Sequence, residues 1–145
     1  MVAEISGTED PSVTKSDFQH LAESRLREAK LLLDRHEYDG AYYLAGYVVE
    51  FALKACILKR LADFWPDDKK FIEKCYTHVL TDLLHLANLQ TEIFAGPVGA
   101  KWLLVKDWSE QRRFKRGTSE ADATDFFNAI NHPTEGVFQW LKARW

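Results

Sequence analysis

An all-α, up-and-down antiparallel bundle of four to five helices is the fold class this sequence predicts. Three observations predict it. Runs with the two-residue alternation of strands are absent, and Val and Ile are few. Several segments repeat apolar residues at helical spacing and are joined by short polar links. The stretch Tyr38 to Ala62, YDGAYYLAGYVVEFALKACILKRLA, is apolar nearly all the way round for about seven turns. A helix of that composition is a central one, wrapped by others.

The bulk numbers agree with one packed domain. The chain has 145 residues, of which 46% are hydrophobic and 13% aromatic. Its net charge of −3 excludes a globally cationic nucleic-acid binder, so any such site must be a local patch. Cys56 and Cys75 lack the CxxC spacing, and Cys56 falls inside the apolar helix, which predicts a reduced core thiol and a cytoplasmic, reducing compartment. No basic segment followed by an apolar run opens the chain, so no signal peptide is expected. No stretch of about 18 apolar residues is free of charge, so no membrane span is expected.

Residues 1–15 are small and polar and read as a mobile tail, with a single domain over 16–145. The first helix is expected from Asp17 to about His36, capped by Ser16, burying Phe18, Leu21, Ala22, Ala29, Leu32 and Leu33. Arg25 falls near the centre of that face and should find a carboxylate or an interface. A short link at Glu37 to Asp39 makes the first two helices an antiparallel hairpin. The second helix ends near Phe64, before Pro66. A charged, turn-like segment follows, with one helical turn at Lys69–Cys75. Thr77 then caps a helix over 78–89, whose apolar face is Val79, Leu80, Leu83, Leu84, Leu86 and Ala87. After the break at Gly96, Pro97 and Gly99, a helix over 99–109 carries Trp102, Leu103, Val105 and Trp108. Ser119 caps the next helix, with Asp122 at its third position and Phe126, Phe127 and Ile130 inside. His132-Pro133 interrupts it, and Thr134 to Arg144 resumes helix with Val137, Phe138 and Leu141 buried.

Three constellations carry chemistry. The first is a stripe on the central helix. At 100° per residue Tyr43, Tyr47, Glu50 and Lys54 share one narrow face, opposite the small residues Ala41, Ala45 and Ala52. Two readings stand: a polar site between helices for a small ligand or nucleotide, or a structural network. The second weighs more, because Glu50 and Lys54 are four apart in the favourable order and Arg25 can also reach Glu50. Either way Glu50 should have a charged partner. The second constellation is His78, Asp82 and His85, which share one face if the helix begins at 78. They are weak candidates for a metal, since such a match on a solvated helix face arises easily by chance. The third is the run Lys101 to Arg116, which interleaves Trp102, Trp108 and Phe114 with Lys101, Lys106, Arg112, Arg113, Lys115 and Arg116. Cations for phosphates and flat faces for bases are what nucleic acid needs. An acidic protein partner, or core tryptophans beside a solvated loop, would give the same run.

The order of the segments LAESRLREAKLLL, YDGAYYLAGYVVEFALKACI, THVLTDLL and WSEQRRF, ahead of a last amphipathic helix, resembles the HEPN domain over residues 17–142. The resemblance implies a small helical bundle, a homodimer, and a nucleotidyltransferase partner in a toxin–antitoxin-like system. Some members are metal-independent ribonucleases with an Arg followed four to six residues later by a His. Here the window after Arg112 or Arg113 holds Gly117 to Glu120 and no His. The resemblance therefore supports an interaction module that binds nucleotide or RNA, with no catalytic residue and no cofactor assigned. Arg112 and Arg113 match the family's arginine position and, with Lys115 and Arg116, are the phosphate-binding candidates. A divergent ribonuclease using His132 or His78, or a purely structural antitoxin-like subunit, are the alternatives.

Overall fold

A computed structural model describes residues 13–63 and 69–145. The described elements are α1 (Lys15–Asp34), α2 (Tyr38–Asp63), α3 (Lys69–Lys74), α4 (Leu80–Leu86), α5 (Val98–Val105), α6 (Glu120–Asn131) and α7 (Val137–Lys142). Two 3-10 turns, Glu92–Phe94 and Glu110–Phe114, stand before and after α5. No strand occurs among the described residues, and the fold is the all-α bundle that the apolar periodicity predicts.

The first helix starts earlier than expected, because Thr14 and not Ser16 is its cap. Thr14 Oγ1 accepts the Asp17 N–H at 3.1 Å, and the Asp17 carboxylate accepts the Thr14 N–H at 2.9 Å. Two N–H groups at the helix start are thereby satisfied reciprocally. The predicted tail thus loses its last two residues to the helix start; Val13 before them is exposed, and the rest of that prediction, over 1–12, lies outside the described residues. The link to α2 turns at His36, whose φ of 64° is left-handed, while the Glu37 N–H returns to the Leu32 carbonyl at 2.9 Å. The two helices then pack along their length as the expected hairpin.

α2 is the axis of the bundle and packs on α1, α4, α6, α7 and the second 3-10 turn. It is long and apolar enough to cross a membrane by length and composition, yet its most apolar 18-residue window is 67% buried inside the bundle. Its small flank, Ala41, Ala45 and Ala52, is fully inside, as the spacing predicts. Around it the core is Leu53, Ile57, Leu80, Leu83, Ile93, Trp102, Ile130, Phe138 and Leu141. Cys56 is a core thiol donating to the Leu141 carbonyl at 3.6 Å. Burial pushes it up to about 12, so it stays protonated and inert.

Three further boundaries differ from the sequence reading. α4 begins at Leu80, because Thr77 Oγ1 accepts the Val79 N–H at 3.1 Å in a turn outside the helix. Val79, expected on the apolar face, is exposed in consequence. α5 stops at Val105, so Trp108 enters the core from the following loop, while Leu103 faces outward. The last helix begins only at Val137, because His132 organises the preceding turn: its Nδ1 accepts the Thr134 N–H at 3.2 Å and the Glu135 N–H at 3.0 Å. Ser119 caps α6 as expected, accepting the Asp122 N–H at 3.0 Å.

Candidate functional site

The polar stripe of α2 converges on one carboxylate. Glu50 is 1% exposed and is the sole charged residue buried among those described. Lys54, one turn on, reaches its Oε2 at 3.1 Å. The Nδ1 of His78 lies 2.9 Å from Oε2 and 3.0 Å from Oε1. An ionised carboxylate only accepts, so this imidazole donates its Nδ1–H to Glu50. Desolvating a carboxylate is expensive, and these contacts offset that cost. Glu50 thus has the charged partner that its place in the sequence demands. Arg25 does not supply it. Arg25 pairs along its own helix with Glu28, Nε to Oε1 at 2.7 Å.

Tyr43 and Tyr47 extend the stripe. Their hydroxyls are 3.5 Å apart, and the Tyr47 ring meets Trp108 edge-on at 4.9 Å and stacks on Phe51 at 5.6 Å. Burial raises the Tyr47 phenol well above its usual value, with Tyr43 and the Glu50 charge adding to it, so it stays a neutral phenol. Trp108 reaches this place only because residue 46 is glycine. A Cβ there would fall 1.9 Å from Trp108 Cε2.

His78, Asp82 and His85 are not brought together. His78 precedes α4 and is taken by Glu50, while Asp82 and His85 line a surface depression with Lys74, Thr77 and Leu86. Among the described residues no group of three or more His, Cys, Asp or Glu is placed to hold a metal ion.

The basic run folds into a braced turn. Ser109 Oγ accepts the Gln111 N–H at 3.1 Å and so starts the 3-10 turn Glu110–Phe114. Arg112 lies over the Tyr42 ring at 3.7 Å, Tyr42 stacks on Phe126 at 3.9 Å, and Arg112 Nη2 donates to Thr118 Oγ1 at 3.1 Å. Past Gly117, whose φ is 78°, the Thr118 N–H donates to Asp39 Oδ1 at 2.8 Å. The Thr118 hydrogen bonds hold the Asp39 carboxyl below its usual value, with Gly117 and the Arg112 charge helping. Arg112 is therefore an anchor of the turn.

The other three cations, Arg113, Lys115 and Arg116, are exposed. So is Phe114, at 70%, with the Arg113 guanidinium 4.7 Å from its ring centroid. Trp102 and Trp108, the other aromatics of the run, are core. Lys106 pairs with Asp107 at 3.0 Å.

Glu110, the first residue of the turn, has its carboxyl held below the usual range by its own backbone N–H first, then by Gln111, His78 and Arg113. His132 has no part in this. It ends α6, about 18 Å from the end at Ser119.

Sequence reasoning missed His78 as the partner of Glu50 and Asp39 as the brace. Each acts across 28 or more residues, and no local spacing announces it.

The HEPN domain model matches residues 17–95, which takes in α1 to the first 3-10 turn and includes Glu50 and His78. No curated protein and no solved structure matches the chain. The matched span is more than half of the sequence, and it covers the helical hairpin and the carboxylate at its centre: the chain belongs to the HEPN domain family.

Proposed function

We propose that this protein is a HEPN-type interaction module that captures the phosphates of RNA or of a nucleotide on the turn 110–116. One observation carries the reading. Arg113, Lys115 and Arg116 are exposed together on a braced turn, in a chain whose net charge is −3. A local cationic cluster on an otherwise acidic molecule attracts a polyanion at that place and repels it elsewhere. In this reading the module works as a homodimer beside a nucleotidyltransferase partner in a toxin–antitoxin-like system, as the family resemblance implies, and in the cytoplasm, as its unpaired cysteine spacing implies. Exposed Phe94, Leu103 and Leu104 supply apolar surface for such protein contacts. The test is binding of a labelled single-stranded RNA at low and at physiological salt, with the oligomer mass recorded on the same sample.

A second reading, a divergent metal-independent ribonuclease, is favoured by the His78–Glu50 geometry. A buried carboxylate holds Nδ1 of an imidazole whose side chain is 45% exposed. His78 and Arg113 both lower the proton affinity of the Glu110 carboxyl. Cleavage of the same RNA, abolished by His78→Ala, would select this reading over binding alone.

A further inference from the structure

Phe114 is the most exposed large apolar side chain among the described residues, at 70%. It is not at a fraying end. The turn that carries it is fixed by the Ser109 cap before it, by Arg112 stacked on Tyr42, and by the Thr118–Asp39 hydrogen bond after it. An aromatic ring held in solvent by a rigid support loses little freedom when something covers it. Its surroundings say what that something is. The Arg113 guanidinium lies over one face of the ring, and Lys115 and Arg116 follow in sequence, all exposed. One cation on the ring and two more directly after it in the chain oppose a cationic or apolar protein surface and suit a flat group that carries negative charge next to it. A nucleobase with its phosphate is that group.

We infer that Phe114 is a stacking platform for an unpaired nucleobase, so that the turn 110–116 selects single-stranded nucleic acid over duplex. This rests on the phosphate-binding reading above and adds the ligand class. A base paired inside a duplex hides its face, whereas every unpaired base has one to offer. Stacking therefore converts a general attraction to phosphate into a preference for single strands. Arg113 can close over the same base, since a guanidinium plane also stacks.

The experiment measures fluorescence anisotropy with a labelled single-stranded RNA and with a duplex of the same sequence. The proteins are wild type, Phe114→Ala, Phe114→Trp and the triple variant Arg113→Ala/Lys115→Ala/Arg116→Ala, with the mass of each recorded. Wild type should prefer the single strand. Phe114→Ala should weaken single-strand binding about tenfold, leave duplex binding and the salt slope unchanged, and so erase the preference. Phe114→Trp should keep it. Single-strand affinity unchanged in Phe114→Ala, while the triple variant loses binding, overturns the stacking inference and leaves the phosphate reading standing. Binding unchanged in the triple variant overturns both, as does no binding by wild type. If Phe114→Ala dissociates a dimer and leaves RNA affinity intact, the ring belongs to a contact between copies and the inference falls.

Discussion

His78 Nδ1 lies 2.9 Å from Oε2 of Glu50, joining the linker before α4 to the middle of the central helix. The carboxylate it meets is fully inside the bundle and is also held by Lys54, whose side chain is only 11% exposed. This three-membered group is the point at which an otherwise apolar helix becomes polar. It ties the hairpin to the segment beyond α3.

Breaking that group from the carboxylate side should be costly. Glu50→Ala leaves Lys54 nearly buried without its partner, a change that costs about 3–5 kcal/mol in comparable sites. Urea unfolding should show this loss, and Glu50→Ala/Lys54→Met should regain most of it. A loss below about 1 kcal/mol would mean that the group adds nothing to stability.

Gly46 and Trp108 make the second prediction. Gly46→Ala puts a methyl group 1.9 Å from the indole, so the ring must leave its place against Tyr47. Overpacking of this kind costs about 1–3 kcal/mol. The near-ultraviolet circular dichroism of the variant should change, and its melting temperature should fall. An unaltered spectrum would place Trp108 elsewhere.

Asp39 gives the fold a defined acid sensitivity. Its folded-state affinity for a proton is lowered by Thr118, so between the folded and unfolded pKa values the unfolded chain binds more protons. The contribution is therefore present above about pH 4 and is lost as the pH falls through the folded value. Glu110, also lowered, acts in the same direction. Asp39→Asn should flatten part of the fall in stability between about pH 5 and pH 3. An identical pH profile in the variant would contradict the Asp39–Thr118 brace.

What could be read in the sequence was what lies within one helix. The small flank of α2, the Glu50–Lys54 pair and the Ser119 cap each depend on neighbours at most four residues away. Contacts between distant segments were not legible. His78 looked like a member of a helical metal-binding face because α4 was expected two residues early. Arg112 looked like a phosphate ligand because nothing near it in sequence announces Tyr42, 70 residues before it. Trp108 was expected on a helix, and its packing on Gly46 depends on the loop that follows α5. In each case the tertiary partner decided what the side chain does.

The most direct test of the central claim compares RNA binding by wild type with that of Arg113→Ala/Lys115→Ala/Arg116→Ala at about 50 and 200 mM salt. Three phosphate contacts to a single strand give a logarithmic salt slope near −2, so wild-type affinity should fall about twentyfold over that range. The variant should unfold at the wild-type urea concentration, bind much more weakly and lose most of the slope. Equal affinity and equal slope in the two proteins would show that the turn 110–116 is a solvated loop and that the phosphate-binding account is wrong.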